Sequence, residues 1–110
     1  GMVDTPAILT PAQTVDQFVD AFNTGDIVAV QKMLGEDAWY SFGDSAPVSG
    51  EVMLSWLESE MLGATMQIAS TEIDGSTVIL AGTSLLDGNS TEFTYVFNVR
   101  AGLIESWQIL

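Results

Sequence analysis

Among the side chains that could hold or transfer a proton, four are candidates for a site in this sequence: Tyr40, Asp44, Tyr95 and Glu105. A carboxyl group can act as a general base when burial raises its pKa, and Asp44 and Glu105 offer such groups. The Tyr95 hydroxyl can donate a hydrogen bond to an oxygen on which negative charge develops. These residues therefore predict proton-transfer chemistry if the fold brings a carboxyl group into one pocket with Tyr95.

Each candidate also has a purely structural interpretation. Tyr40 and Tyr95 can pack in a core with their hydroxyl groups satisfied by hydrogen bonds. Asp44 follows a short aromatic segment and can bond the backbone of its own turn. Glu105 can be an exposed carboxylate near the end of a strand, and Glu58 can be a solvated residue on a helix. The sequence leaves these alternatives open.

The composition excludes several classes of chemistry and of partner. The 110 residues include no histidine and no cysteine, which excludes Ser-His catalysis and disulfides and predicts no metal site and no cofactor. Fifteen acidic residues oppose only Lys32 and Arg100, giving a net charge of −13. This charge repels phosphate backbones and anionic lipid, so we expect no nucleic-acid partner and no membrane partner. Without a spanning apolar run or a secretory signal, we expect a cytoplasmic protein.

Two consecutive helices are predicted near the start of the chain. Thr10, Pro11 and Gln13 have the spacing of a capping box with proline at the first helical position. Gly25 can end this first helix in the left-handed conformation. Asp26 can then cap a second and shorter helix.

The rest of the chain predicts one more helix and mainly strands. Residues 39–42 form a short strand, and Ser49 can cap a third helix over residues 51–62. Asp74-Gly75 is a strong hairpin signal between alternating apolar segments. Four strands joined by tight turns then form an antiparallel meander, with approximate bounds 65–73, 77–86, 91–99 and 103–110.

The order of these elements predicts an α+β fold with helices packed on one face of the sheet. We interpret Gly1 as a remnant of tag removal, residues 1–9 as an N-terminal arm and residues 10–110 as a single domain.

The predicted sheet has two very different faces. Phe93, Tyr95, Phe97 and Val99 alternate onto one face, which we expect the helices to cover. Glu105 and Trp107 are predicted to share one face of the last strand. The opposite sheet face is small, β-branched and free of charge at the strand centres, which predicts burial in a homodimer. The predicted dimer contacts are Ile79, Ala81, Thr83, Thr94, Val96, Asn98 and Ile104.

Three segments, in this order and spacing, resemble the nuclear transport factor 2-like superfamily and its SnoaL-like and ketosteroid-isomerase-like branch. They are VDQFVDAFNTGDIVAVQKML, EDAWYSF and RAGLIESWQIL, and the resemblance covers residues 10–110. It implies a cystatin-like cone in which helices close a curved sheet around a pocket. It also implies that dimers through the convex face are common.

The resemblance also implies what is missing from the pocket. The catalytic acid of the ketosteroid isomerases corresponds to Ser41 or Phe42 here, and their oxyanion tyrosine corresponds to Phe18. Their second oxyanion donor falls near Tyr95. Neither a serine nor a phenylalanine can abstract a proton from carbon, so this comparison argues against the activity of those relatives.

The leading hypothesis from the sequence is a SnoaL-like pocket protein that binds a small apolar or aromatic molecule without the usual catalytic residues of the family. One alternative is an isomerase- or cyclase-type enzyme with Glu105 or Asp44 as base and Tyr95 as oxyanion donor. Another is a structural dimerisation module whose aromatic residues fill the pocket. The predicted ligand contacts are Phe18, Tyr40, Phe42, Trp56, Leu57, Met61, Leu80, Phe93, Tyr95, Phe97 and Trp107.

Overall fold

The structure is a computed structural model and describes residues 9–110, so the predicted remnant Gly1 and most of the predicted arm lie outside the described residues. Three helices and six strands follow one another along the chain. They are α1 Pro11–Thr24, α2 Ile27–Met33, β1 Leu34–Phe42, β2 Val48–Ser49, α3 Gly50–Met61, β3 Ala64–Asp74, β4 Thr77–Leu86, β5 Asn89–Arg100 and β6 Leu103–Ile109.

The predicted helix termini are largely confirmed. The Thr10 side chain accepts a hydrogen bond from the Gln13 amide at 3.2 Å, and the Gln13 side chain accepts one from the Thr10 amide at 3.0 Å. Gly25 ends α1 with a φ of 74°, and Asp26 caps α2 through the amide of Ala29. Ser49 occupies the predicted cap position of α3, but its side chain makes no capping hydrogen bond.

The sheet contains the predicted four-stranded meander and extends beyond it. Its strand order is β2-β1-β6-β5-β4-β3, and β3 to β6 pair antiparallel in sequence order. The predicted four-residue strand is in fact the last part of β1, which has nine residues and pairs in parallel with β6. The sheet is therefore mixed, and β2 and α3 connect β1 to the meander.

The strand register arranges the concave face of the sheet in transverse rows. Opposite residues on paired strands point to the same face, so each row crosses the sheet from β1 to β3. We call the first row the inner row; its members are Tyr40, Trp107, Phe97, Val78 and Ile73. We call the next row the outer row; its members are Phe42, Ile109, Tyr95, Leu80 and Thr71.

The helices cover this concave face, as predicted from the aromatic alternation of β5. Phe18 and Phe22 of α1 pack on Trp107, with ring centroids 5.3 and 6.1 Å apart. The side chain of Asn23 bonds both the amide and the carbonyl of Met66, at 2.7 and 2.9 Å, and so attaches the end of α1 to β3. Among residues 9–110, no helix is long and apolar enough to cross a membrane.

A bulge in β6 corrects the predicted faces of that strand. Asn98 pairs with Ser106, but the next residue of β5, Val99, pairs with Ile104, so Glu105 is left over. Ile104 therefore turns into the core and is fully buried, and its prediction as a dimer contact was wrong. Trp107 faces the helices as predicted, whereas Glu105 no longer shares its face.

Candidate functional site

The inner row and the helices form a closed aromatic core. Phe18 and Trp107 pack edge to face at 5.3 Å, and Phe97 stacks on Trp107 at 5.5 Å. Leu57 of α3 is also fully buried against this core. The sequence predicted ligand contacts at Phe18, Leu57, Phe97 and Trp107, but their surfaces are covered by one another. These four residues belong to the core and do not line an open surface.

The outer row is buried at Ile109, Tyr95 and Leu80 but exposed at Phe42, and helix α3 exposes another aromatic ring, that of Trp56. Phe42 and Trp56 are 57% and 44% exposed, although both are large and apolar. Phe93 stacks on Tyr95 with ring centroids 3.8 Å apart. We call Phe42, Trp56, Glu60, Phe93 and Tyr95 the mouth cluster. Four of the five were predicted as ligand contacts, and Glu60 was not.

Helix α3 places Glu60 in this cluster. Glu60 lies four residues after Trp56, so both side chains occupy the same face of the helix. The Tyr40 hydroxyl donates a hydrogen bond of 2.9 Å to Glu60 Oε1. The Tyr40 ring is held in edge-to-face contact by Trp56 at 6.0 Å and by Trp107 at 4.9 Å. Tyr40 therefore connects the aromatic core to the carboxyl group at the mouth.

Burial changes the protonation of this group of side chains. Desolvation raises the pKa of Glu60 above the ordinary glutamate value, and the hydrogen bond from Tyr40 offsets part of that rise. Burial and the nearby Glu60 carboxylate raise the pKa of Tyr95 to about 12. The pKa of Tyr40 is raised further, first by burial and then by Glu60. A raised carboxyl pKa beside neutral tyrosine hydroxyls suits hydrogen bonding to a ligand and acid–base chemistry.

One buried polar atom in the core has no partner. Among the described residues, Trp107 Nε1 is the buried side-chain nitrogen or oxygen that lacks a hydrogen bond. Its ring is surrounded by Phe18, Tyr40, Tyr95 and Phe97. An unpaired buried donor costs free energy, so aromatic packing around Trp107 must outweigh that cost.

The two carboxyl groups predicted as bases lie elsewhere. Glu105 is on the outer side of the β6 bulge, where it faces Arg100 at 3.7 Å and is about half exposed. Asp44 lies in the exposed turn after β1. The carboxyl group that the fold places beside Tyr40 and Tyr95 is that of Glu60. The physical reason for the correction of Glu105 is the bulge, which reverses the face of a single residue.

A signal for Glu60 was present in the sequence. Met53 and Leu57 form the buried stripe of α3, and Glu60 follows Leu57 by three residues. A glutamate on the apolar stripe of a helix predicts a half-buried carboxyl group. Glu58, which the sequence analysis did consider, is exposed on the opposite side.

A separate groove lies beside α1. It has a volume of about 320 Å³ and lies between α1 and strands β3 and β4. Leu80, a predicted ligand contact, lies in its floor and is the cross-strand neighbour of Tyr95. Met61, another predicted contact, is half-buried at the end of α3. Within residues 9–110 no cluster of three acidic side chains is arranged to hold a metal ion.

The chain has the same fold as several solved proteins. An NTF2-like protein of unknown function from Cytophaga hutchinsonii aligns with a TM-score of 0.85 and 19% identity, over 96% of this chain and 93% of that one. SalBIII, an epoxide hydrolase/cyclase-like enzyme in pyran ring formation in salinomycin, aligns with a TM-score of 0.83 and 19% identity, over 91% and 88%. An LEH-like epoxide hydrolase from M. tuberculosis aligns with a TM-score of 0.75 and 21% identity, over 90% and 80%.

These similarities confirm the predicted fold class. The protein is an α+β protein with the NTF2-like fold, in which three helices close a curved six-stranded mixed sheet. No protein-family model matches the sequence, and no curated protein matches it. At identities of 19 to 21% the likeness shows the fold, and the site must be argued from its own residues.

Proposed function

We propose that the protein binds a small, flat, mainly apolar molecule at the mouth cluster, with one polar group of the ligand beside Glu60 and Tyr95. The observation that carries this proposal is the position of Glu60, a half-buried carboxyl group among aromatic rings at the open end of the cone. Apolar walls with a few convergent polar groups are typical of small-molecule sites.

The exposure of Phe42 and Trp56 favours ligand binding over a filled cone. The aromatic residues of the core do fill the inner half of the cone, as the structural hypothesis requires. Outside this core, however, the rings of Phe42 and Trp56 remain about half exposed, and the Trp56 ring lies 6.0 Å from that of Tyr40. Exposed aromatic surface around a buried polar group is typical of a binding site and not of a closed hydrophobic core.

A binding experiment with a defined probe tests this proposal. β-Naphthol is titrated into labelled protein, and the indole N–H signals of the tryptophans are followed by NMR. We expect the Trp56 signal to shift saturably, while Trp39, which points to the opposite side of β1 from Tyr40, stays unchanged. Equal shifts of both signals, or none with naphthalene, β-naphthol and β-naphthoate alike, would contradict the proposal.

A second function is favoured by the raised pKa of Glu60. In this hypothesis the protein is an isomerase- or cyclase-type enzyme, with Glu60 in the role that the sequence assigned to Glu105 or Asp44. Glu60 would accept a proton from carbon while Tyr95 donates a hydrogen bond to the adjacent oxygen. Accelerated exchange of solvent deuterium into acetophenone, abolished in Glu60→Gln, would support it, and exchange at the uncatalysed rate would contradict it.

We also propose that two copies associate through the convex face of the sheet. Six of the seven predicted contacts remain on that face and are half-buried in one chain: Ile79, Ala81, Thr83, Thr94, Val96 and Asn98. These six side chains are uncharged on a chain of net charge −13, which supports this proposal, while Glu72 and Glu92 lie beside Ile79 and Thr83 on the same face. Sedimentation should give a dimer for the natural chain and a monomer for Val96→Glu; a monomer in both cases would refute it.

A further inference from the structure

Tyr40 fixes the Glu60 carboxyl group and uses one of its two oxygens. Tyr40 is almost fully buried, and its hydroxyl donates to Oε1 at 2.9 Å. No other side chain of residues 9–110 is hydrogen-bonded to Glu60, so Oε2 remains available on the other side of the group. Because the Tyr40 ring is held by Trp56 and Trp107, the carboxyl group has little freedom to turn.

A second tyrosine hydroxyl, that of Tyr95, lies in the electrostatic range of the Glu60 carboxyl group. Tyr95 lies in the outer row, and the Glu60 carboxylate is close enough to act on its ionisation. A ligand group between the two would meet an acceptor, Oε2, and a hydroxyl that can donate. Among common polar groups, a hydroxyl donates and accepts at once, whereas a ketone or a carboxylate can only accept.

Charge also distinguishes an anionic ligand from a neutral one. A carboxylate beside Glu60 places two like charges in a partly buried site, where screening by solvent is weak. The net charge of −13 adds a long-range repulsion of anions. A neutral hydroxyl on an aromatic ring meets neither penalty, and its ring can pack on the half-exposed Trp56.

From this geometry we infer that Glu60 is a specificity-determining residue: it selects a neutral aromatic hydroxyl compound, a phenol or an enol, over an anionic ligand of the same shape. The inference rests on the proposed binding function and names the ligand class of that same site. It assigns Oε2 of Glu60 as the acceptor of the ligand hydroxyl and Tyr95 as the donor to it.

Three probes with one ring system test this inference: naphthalene, β-naphthol and β-naphthoate. Their affinities for the natural chain, Glu60→Gln and Glu58→Gln are measured by calorimetry, with the Trp56 NMR signal as a check of the site. Glu58→Gln is the matched control, because Glu58 is exposed on the same helix and its substitution removes the same charge. The backbone NMR spectrum of each variant verifies that it is folded.

We expect the natural chain to bind β-naphthol about tenfold or more tightly than β-naphthoate, since a hydrogen bond to a charged group has that order of effect. Glu60→Gln should bring the two affinities together, while Glu58→Gln should preserve their ratio. Equal affinities in the natural chain, or a ratio unchanged in Glu60→Gln, would overturn the inference and leave the binding function standing. Failure of all three probes to bind would overturn both.

Discussion

The inner and outer rows of the concave face are built from the same kinds of residue but differ in solvent exposure on β1. On β1, Tyr40 of the inner row is 1% exposed and Phe42 of the outer row is 57% exposed, whereas Tyr95, Leu80 and Ile109 of the outer row are buried. The other exposed ring near this end of the sheet is Trp56 of α3, which contacts Tyr40. Position in the fold, rather than residue type, therefore separates the aromatic core from the candidate binding site.

The largest expected difference between the two regions comes from a matched pair of substitutions. Trp107→Ala should lower the free energy of unfolding by about 3–5 kcal/mol, because it leaves a cavity in the aromatic core. Trp56→Ala should cost about 1 kcal/mol or less, because Trp56 is 44% exposed against 1% for Trp107. Urea denaturation measures both. Similar losses for the two variants would remove the distinction between core and mouth.

A smaller effect is expected where the two regions meet. Tyr40→Phe should lower the free energy of unfolding by about 1–3 kcal/mol, because it removes the donor to the half-buried Glu60 carboxyl group. Tyr95→Phe should leave stability within about 1 kcal/mol and weaken β-naphthol binding instead. Chemical denaturation and calorimetry test the two halves of this prediction. A greater loss of stability in Tyr95→Phe than in Tyr40→Phe would be evidence that the roles are reversed.

The pH dependence of Glu60→Gln sharpens the comparison further. Burial raises the pKa of Glu60 in the folded protein above its value of about 4.5 in the unfolded chain. Protonation of Glu60 therefore stabilises the folded state. This stabilisation is complete below pH 4.5 and is lost as the pH rises through the folded-state pKa. Glu60→Gln should therefore be more stable than the natural chain at neutral pH, and the gap should close towards pH 4.5.

Melting temperatures measured across this pH range, with Glu58→Gln as control, check the prediction. The difference between Glu58→Gln and the natural chain should not change in this way with pH, because Glu58 is exposed on the outer side of α3. A gap that widens as the pH falls would mean that the Tyr40 hydrogen bond, and not desolvation, dominates the pKa of Glu60.

The smallest effect is expected at the carboxyl group outside both rows. Glu105→Gln breaks an exposed contact with Arg100 at 3.7 Å, so stability should change by about 1 kcal/mol or less. β-Naphthol binding should not change, because Glu105 lies on the other side of the β6 bulge from the mouth cluster. A clear loss of binding in Glu105→Gln would mean that Glu105 belongs to the site, as the sequence predicted.

The alternation of residues along the chain was enough to predict much of this fold. The capping box at Thr10, the left-handed Gly25 and the hairpin at Gly75 are local signals, and each is confirmed by local hydrogen bonds or backbone angles. The aromatic alternation of β5 also predicted which sheet face the helices cover. Such features depend on neighbours within a few residues, which is why a single sequence carries them.

The candidate site depended on contacts that no local pattern specifies. Glu60 and Tyr40 are twenty residues apart, and their hydrogen bond exists because α3 crosses the sheet beside β1. One bulged residue turned Ile104 into the core and Glu105 out of the pocket, which reversed two predictions based on strict alternation. The sequence by itself determined the three helices, the four-stranded meander, their order and the aromatic lining. The tertiary structure alone decided which carboxyl group faces that lining, because burial and register are set by the packing of distant segments.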